Sequence, residues 1–151
     1  MSYELLVGRK TPGDTLNLTR CTTQAVWTTQ RTGQPGKFTF TYLRTPASKI
    51  EEGDVVRFSV DGQLQFYGWV FTRGLDRWGP VDVVCYDRLR YLKANASYSF
   101  YAQSAADIIK QIAEDLELDV GELADTGYRL PSLIMQDKSC IDIINTAVQK
   151  T

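Results

Sequence analysis

The chain has 151 residues, 43% of them hydrophobic and 11% aromatic, with 17 Lys+Arg against 18 Asp+Glu and no histidine. That balance suits one globular domain or two small ones and not a disordered chain. No apolar run approaches the roughly 18 residues that span a bilayer, and Met1 to Glu4 lacks the charged start and apolar stretch of a signal peptide, so synthesis in the cytoplasm is expected. The missing histidine excludes Ser-His-Asp and Cys-His nucleophile pairs, imidazole acid/base chemistry and His-containing zinc sites. Three cysteines, Cys21, Cys85 and Cys140, form no CxxC pair, and their odd number suits reduced, buried thiols. No cofactor or metal site is expected.

Taken in chain order, Tyr3 to Gly8 and Leu16 to Arg20 read as strands, and Gln34-Pro35-Gly36 as a turn. Phe38, Phe40 and Tyr42 alternate with Thr39 and Thr41, which predicts a strand with aromatics facing the core. Val56, Phe58 and Val60 repeat the alternation, and Asp61-Gly62 supplies the positive φ angles of a two-residue hairpin turn. From Leu64 to Phe71 both faces are apolar: Tyr67, Trp69 and Phe71 on one, Phe66 and Val70 on the other. This fits a central strand covered on both sides by its own domain, or a strand with one face on another subunit. Val81 to Cys85 is a further strand, entered through Gly79-Pro80.

Composition then changes near Asn95-Ala96-Ser97, where a module boundary is placed. Residues 1–97 carry 13 of the 17 aromatics, with 13 Lys/Arg against 9 Asp/Glu; residues 98–151 carry 4 basic residues against 9 acidic ones. Ser104 followed by Asp107 is a capping box, and Ile108, Ile109, Ile112, Ala113 and Leu116 form one helical stripe behind it. Ser139 and Asp142 repeat the signature before Ile143 and Ile144. Between them, Leu116 to Gly121 and Tyr128 to Pro131 read as a helix end and short extended pieces. The last helix has no stop signal before Thr151, so the sequence reads as the N-terminal part of a longer protein. The expected fold is α+β: an antiparallel β-barrel or sandwich over 1–97, then a small α/β module over 98–151 with two amphipathic helices.

Signs of chemistry are few. Neither GxGxxG nor GxxxxGK[ST] occurs. Asp54, Asp61, Asp76, Asp82 and Asp87 are scattered through turns and strand ends, with nothing to fix two at catalytic separation. The run Glu114 to Asp119 lacks the Asp-x-Asp-x-Asp-Gly calcium loop and reads as a solvated helix face. A basic and aromatic cluster, Arg73 to Trp78 and Arg88 to Tyr91, suits a protein interface rim or single-stranded nucleic acid, and the modest positive charge favours protein. Asp87 is expected to cap a short helical turn; alternatively, Arg90 pairs with an acid of the neighbouring module and fixes the angle between modules.

The run from Gly62 to Phe71, with its Phe66-Tyr67-Gly68 and Val70-Phe71, and the run Tyr86-Asp87-Arg88-Leu89-Arg90-Tyr91-Leu92-Lys93 resemble the XkdQ/YqbQ-like family of phage tail proteins. The resemblance continues through Ser104 to Ile109, Val120-Gly121, Asp125 to Tyr128 and Asp142 to Ala147. It implies a structural, non-enzymatic component of the baseplate in contractile tails, prophages and phage-tail-like bacteriocins. That component is a central hub joining tail tube to spike. It implies a homotrimeric ring with tube, spike and other baseplate proteins as partners, no membrane, nucleic acid only by passage through the tail, and a final place in the particle. No catalytic residue is carried over. Trp69, Phe71, Arg73, Trp78 and Arg90 are the expected intersubunit contacts, and the opposed module charges suit either head-to-tail pairing of copies or packing of the two modules of one chain against each other. Two other readings stay open: a barrel that binds carbohydrate or nucleic acid through Trp27, Trp69 or Trp78, and a cell-wall hydrolase that needs two close carboxylates.

Overall fold

A computed structural model describes residues 1–9, 14–31, 33–46, 48–74 and 79–151. The chain divides into two compact units, one of residues 1–30 and 35–87, the other of residues 31–34 and 88–151. The fold is α+β, as the sequence predicts.

The first unit is one antiparallel sheet of seven strands: β1 (Tyr3–Gly8), β2 (Thr15–Asn17), β3 (Thr22–Thr28), β4 (Lys37–Tyr42), β5 (Val55–Val60), β6 (Gln63–Arg73) and β7 (Val81–Tyr86). Their order is β2-β1-β5-β6-β7-β4-β3. Asp61 and Gly62, at φ 48° and 79°, make the predicted tight turn, and Val60 pairs with Gln63 across it. Period-2 alternation drives Phe38, Phe40 and Tyr42 of β4, Val83 and Cys85 of β7, and Leu5 and Val7 of β1 into one core. There the Phe38 ring stacks on Phe66 at 5.2 Å and lies 4.8 Å from Phe58.

Of the expected barrel or sandwich, the sheet is the open, sandwich-like form and not a closed barrel. β2 and β3 are the sheet's two margins, and among the described residues no ladder joins them. Six strand spacings laid flat would hold the margins about 29 Å apart, whereas the five links from Asn17 to Thr22 reach at most about 18 Å. The sheet therefore curls, and the connection is pinned by Leu18 N–H to the Leu5 carbonyl (2.9 Å), Thr22 N–H to the Leu18 carbonyl (3.0 Å) and Leu43 N–H to the Cys21 carbonyl (2.9 Å).

The second unit opens with a 3-10 helix, Arg88–Lys93, followed by β8 (Asn95–Ser104), α1 (Ala105–Asp115), β9 (Arg129–Ser139) and α2 (Cys140–Gln149). β8 and β9 pair antiparallel, with Phe100 opposite Leu133. Ile108, Ile112, Ile143 and Ala147 of the helices bury against Phe100, Leu130 and Leu133. Both caps form: Ser104 Oγ accepts the Asp107 N–H and Ser139 Oγ the Asp142 N–H, each at 3.2 Å, and Asp107 returns the bond to the Ser104 N–H.

The units divide at Asp87, ahead of the composition change at 97, because Leu92 and Ala96 pack into the second core. Counted by these units, the charge contrast vanishes. The first holds 9 basic and 9 acidic residues, the second 8 and 9.

Candidate interaction surface

In a two-sided strand the residues between core positions face outward, and β6 places Tyr67, Trp69 and Phe71 there while Phe66, Gly68 and Val70 are buried. Neighbouring strands extend the row. Trp69 is opposite Val55 on one side and Tyr86 on the other, and Arg57 of β5 is opposite Tyr67 with its guanidinium 5.3 Å over the ring. Tyr67 meets Trp69 edge-on at 5.5 Å, and Phe71 meets Tyr86 edge-on at 5.4 Å. The outer face of β5, β6 and β7 thus carries a connected aromatic group.

Gly68 makes that geometry possible. A Cβ there would stand 2.5 Å from Phe66 Cζ and closer still to the Tyr86 carbonyl oxygen, so only a residue without a side chain lets β6 lie this near β7. Asp87 has a similar architectural task. Its carboxylate accepts the Gly36 N–H at 2.8 Å while its own N–H donates to the Gly36 carbonyl at 3.2 Å, which ties the entry of β4 to the end of β7.

Of the residues singled out in the sequence, Trp69 and Phe71 share this outer face. Arg73 is bound within its own unit: Nη1 donates to the Ile50 carbonyl at 2.5 Å and Nε lies 3.4 Å from Glu52, with the side chain 21% exposed. Arg90 is half-buried in the 3-10 helix, whose Arg88 pairs with Asp119 at 2.8 Å. Trp78 lies outside the described residues, as does Asp76.

Trp27 stands elsewhere, on β3. Its partner is Phe38, so it shares the core-facing side, yet at the sheet margin it is 44% exposed, and Val26 on the opposite side is 45% exposed. The strand itself was missed in the sequence, since it is polar or exposed at nearly every position and shows no alternation.

Other chemistry is sparse. A hollow of about 350 Å3 in the second unit brings together Asp107, Lys110, Asp125, Tyr128 and Arg129, but Asp107 is committed to its cap and Arg129 to the Ala102 carbonyl at 3.1 Å. Among the described residues no group of three His, Cys, Asp or Glu is placed to hold a metal, and no helix is long and apolar enough to cross a membrane.

The model of the YQBQ-like family matches residues 25–151. The chain belongs to the YQBQ-like family. Uncharacterized protein YqbQ of Bacillus subtilis strain 168 is 36% identical over 105 residues, which are 68% of this chain and 32% of that protein. Phage-like element PBSX protein XkdQ of the same strain is 36% identical over 104 residues, with the same coverage. This YQBQ-like chain therefore spans about a third of the length of its curated relatives. Among solved structures, the 43 kDa tail protein of prophage MuSo2 from Shewanella oneidensis superposes with a TM-score of 0.72 at 13% identity, over 99% of this chain and 51% of that one. The tail protein of Neisseria meningitidis MC58 gives 0.66 at 14% identity, covering 99% and 45%. Prophage tail protein gp18 of Listeria monocytogenes EGD-e gives 0.60 at 13%, covering 96% and 45%. The chain has the fold that these tail proteins show over about half of their length.

Proposed function

We propose that this YQBQ-like chain is a structural segment of a phage-tail baseplate hub, working by assembly and not by catalysis. The observation that carries the reading is the shared fold: 96–99% of the chain follows three tail proteins, two of them from prophages, and a relative belongs to the phage-like element PBSX. The physical features agree with that role. An open, curled sheet has two margins for neighbours, and its outer aromatic group is the residue class enriched at interface cores. The hub ring contains several copies of the chain and contacts the tail tube on one side and the spike on the other. Trp69 and Phe71 act in such contacts, while Arg73 acts inside its own unit.

Tail-like particles purified from the host that encodes the chain test this. Peptides of the chain are expected in a few copies per particle. Particles without it, or with copies as numerous as the repeating tube subunits, would overturn the reading.

A further inference from the structure

The two margins of the sheet differ in chemistry. β2 is three residues long and stands next to the Arg9–Asp14 ion pair at 3.1 Å. β3 is seven residues long, Thr-Thr-Gln-Ala-Val-Trp-Thr, with no charge and no proline, the devices by which proteins block an unpaired strand. Among the described residues it pairs only with β4, and its other side makes no ladder.

In sequence, β3 lies within a stretch whose charges are all positive. Residues 15–50 include Arg20, Arg31, Lys37, Arg44 and Lys49 but no acidic residue at all. Arg20 precedes the Thr22 end, Arg44 follows Tyr42 at that same end, and Lys37 is opposite Thr28 at the other. Arg20, Lys37 and Arg44 are exposed, and none has an ion-pair partner among the described residues. An uncharged open strand is thus framed by unneutralised cations at both ends.

The complement is in the second unit. Residues 119–125 form no helix or ladder, and six of the seven are exposed. Among the described residues the backbone of residues 119–124 makes no hydrogen bond to other backbone groups. Glu122 and Asp125 lie in the segment and Glu117 just before it, and Glu117 and Glu122 have no side-chain partner among the described residues. Six steps separate residue 119 from 125, as six separate Thr22 from Thr28. Either run covers about 20 Å when extended.

We infer that the free edge of β3 takes residues 119–125 of a second copy of the chain as an added strand. Backbone hydrogen bonds supply the affinity, and Arg20, Lys37 and Arg44 facing Glu117, Glu122 and Asp125 select the partner. Because the strand that gives and the edge that receives are different surfaces, the contact is head-to-tail and builds a ring or a filament. This deepens the hub reading and rests on it for the expectation that copies meet.

Sedimentation velocity of the whole chain over a concentration and salt series tests it. Wild type is expected to self-associate, more weakly as salt rises. Lys37→Glu with Arg44→Glu, and separately Glu117→Lys with Glu122→Lys, should each weaken association at least tenfold with the melting profile kept. All four changes in one chain should restore it to within about threefold, since the pairing is then charge-swapped. A monomer at every concentration, or four changes no better than two, overturns the inference. So does a basic edge that binds an oligonucleotide while mass stays monomeric. If particles contain the chain but these variants assemble normally, the strand exchange fails and the hub reading stands; if particles lack the chain, the hub reading fails.

Discussion

Replacing Gly68 by Ala is the sharpest perturbation of the first unit. The new methyl group would lie 2.5 Å from Phe66 Cζ, about 1 Å inside ordinary contact, and closer to the Tyr86 carbonyl. Phe66 cannot swing away freely, because its ring stacks on Phe38 in the core. The carbonyl belongs to the β7 backbone and cannot retreat without bending the β6–β7 ladder. Overpacking costs about 1–3 kcal/mol, and one distorted ladder bond adds about 1 kcal/mol, so a loss of about 3 kcal/mol is expected. Gly62→Ala is the control. Nothing lies within 4 Å of a Cβ there, and only the φ of 79° opposes a side chain, at about 1–2 kcal/mol. Urea unfolding followed by tryptophan fluorescence should place the Gly68→Ala midpoint clearly below that of Gly62→Ala. Equal midpoints would refute the claim that close approach of β6 and β7, and not backbone freedom, requires glycine at 68.

Further expectations concern the caps, the thiols and the clamp. Glu117 follows α1 at φ 56°, with its N–H on the Glu114 carbonyl and the Leu118 N–H on the Ala113 carbonyl, a Schellman ending that favours glycine; Glu117→Gly should stabilise the second unit by about 1 kcal/mol, and a lower denaturation midpoint would contradict this. Ser104→Ala should cost about 1 kcal/mol in the same assay. The Ser104 hydroxyl and N–H hold the Asp107 carboxyl below its ordinary value of 3.8, so their stabilisation is complete above that pH and is lost as pH falls through the lowered value. Wild type and Ser104→Ala should therefore converge in stability upon acidification, and a gap that widens would count against the cap. Burial pushes the Cys85 and Cys140 thiols up, whereas Cys21 is only half-buried. Iodoacetamide at pH 8 should label Cys21 first in the native protein, and labelling of Cys85 at the same rate would show the core to be open. Asp87→Ala leaves the Gly36 N–H without its acceptor and should cost about 1–3 kcal/mol; an unchanged melting temperature would remove the clamp from the account.

What could be read from the sequence follows how clearly each segment shows a period. β4 and β5 alternate, Asp61-Gly62 marks the turn into β6, and both caps carry Ser with Asp three residues on, so these elements were legible. β9 was not, because Leu130 and Leu133 are both buried although three apart. The pairing register is constant from Tyr98–Met135 to Ser104–Arg129, but within that stretch Ala102 of β8, at φ 53°, departs from regular extended backbone. β3 was invisible because an exposed margin need not alternate. The apparent charge split at 97 arose from a boundary drawn on composition; the 3-10 helix with Arg88, Arg90 and Lys93 belongs to the second unit and cancels it. For the candidate surface, Trp69 and Phe71 were legible as the second apolar face of β6. That Arg73 would turn to the Ile50 carbonyl was not, since the two residues are far apart in sequence. The acid-free run from 15 to 50 was the available sign of the β3 edge.

The most direct test of the hub reading is the position of the chain in an assembled tail. Particles carrying a tagged chain, labelled with gold-bound antibody and viewed by negative stain, should show label at one end only, where the tube meets the baseplate. Label spaced along the tube, or at the end opposite the baseplate, would contradict the account.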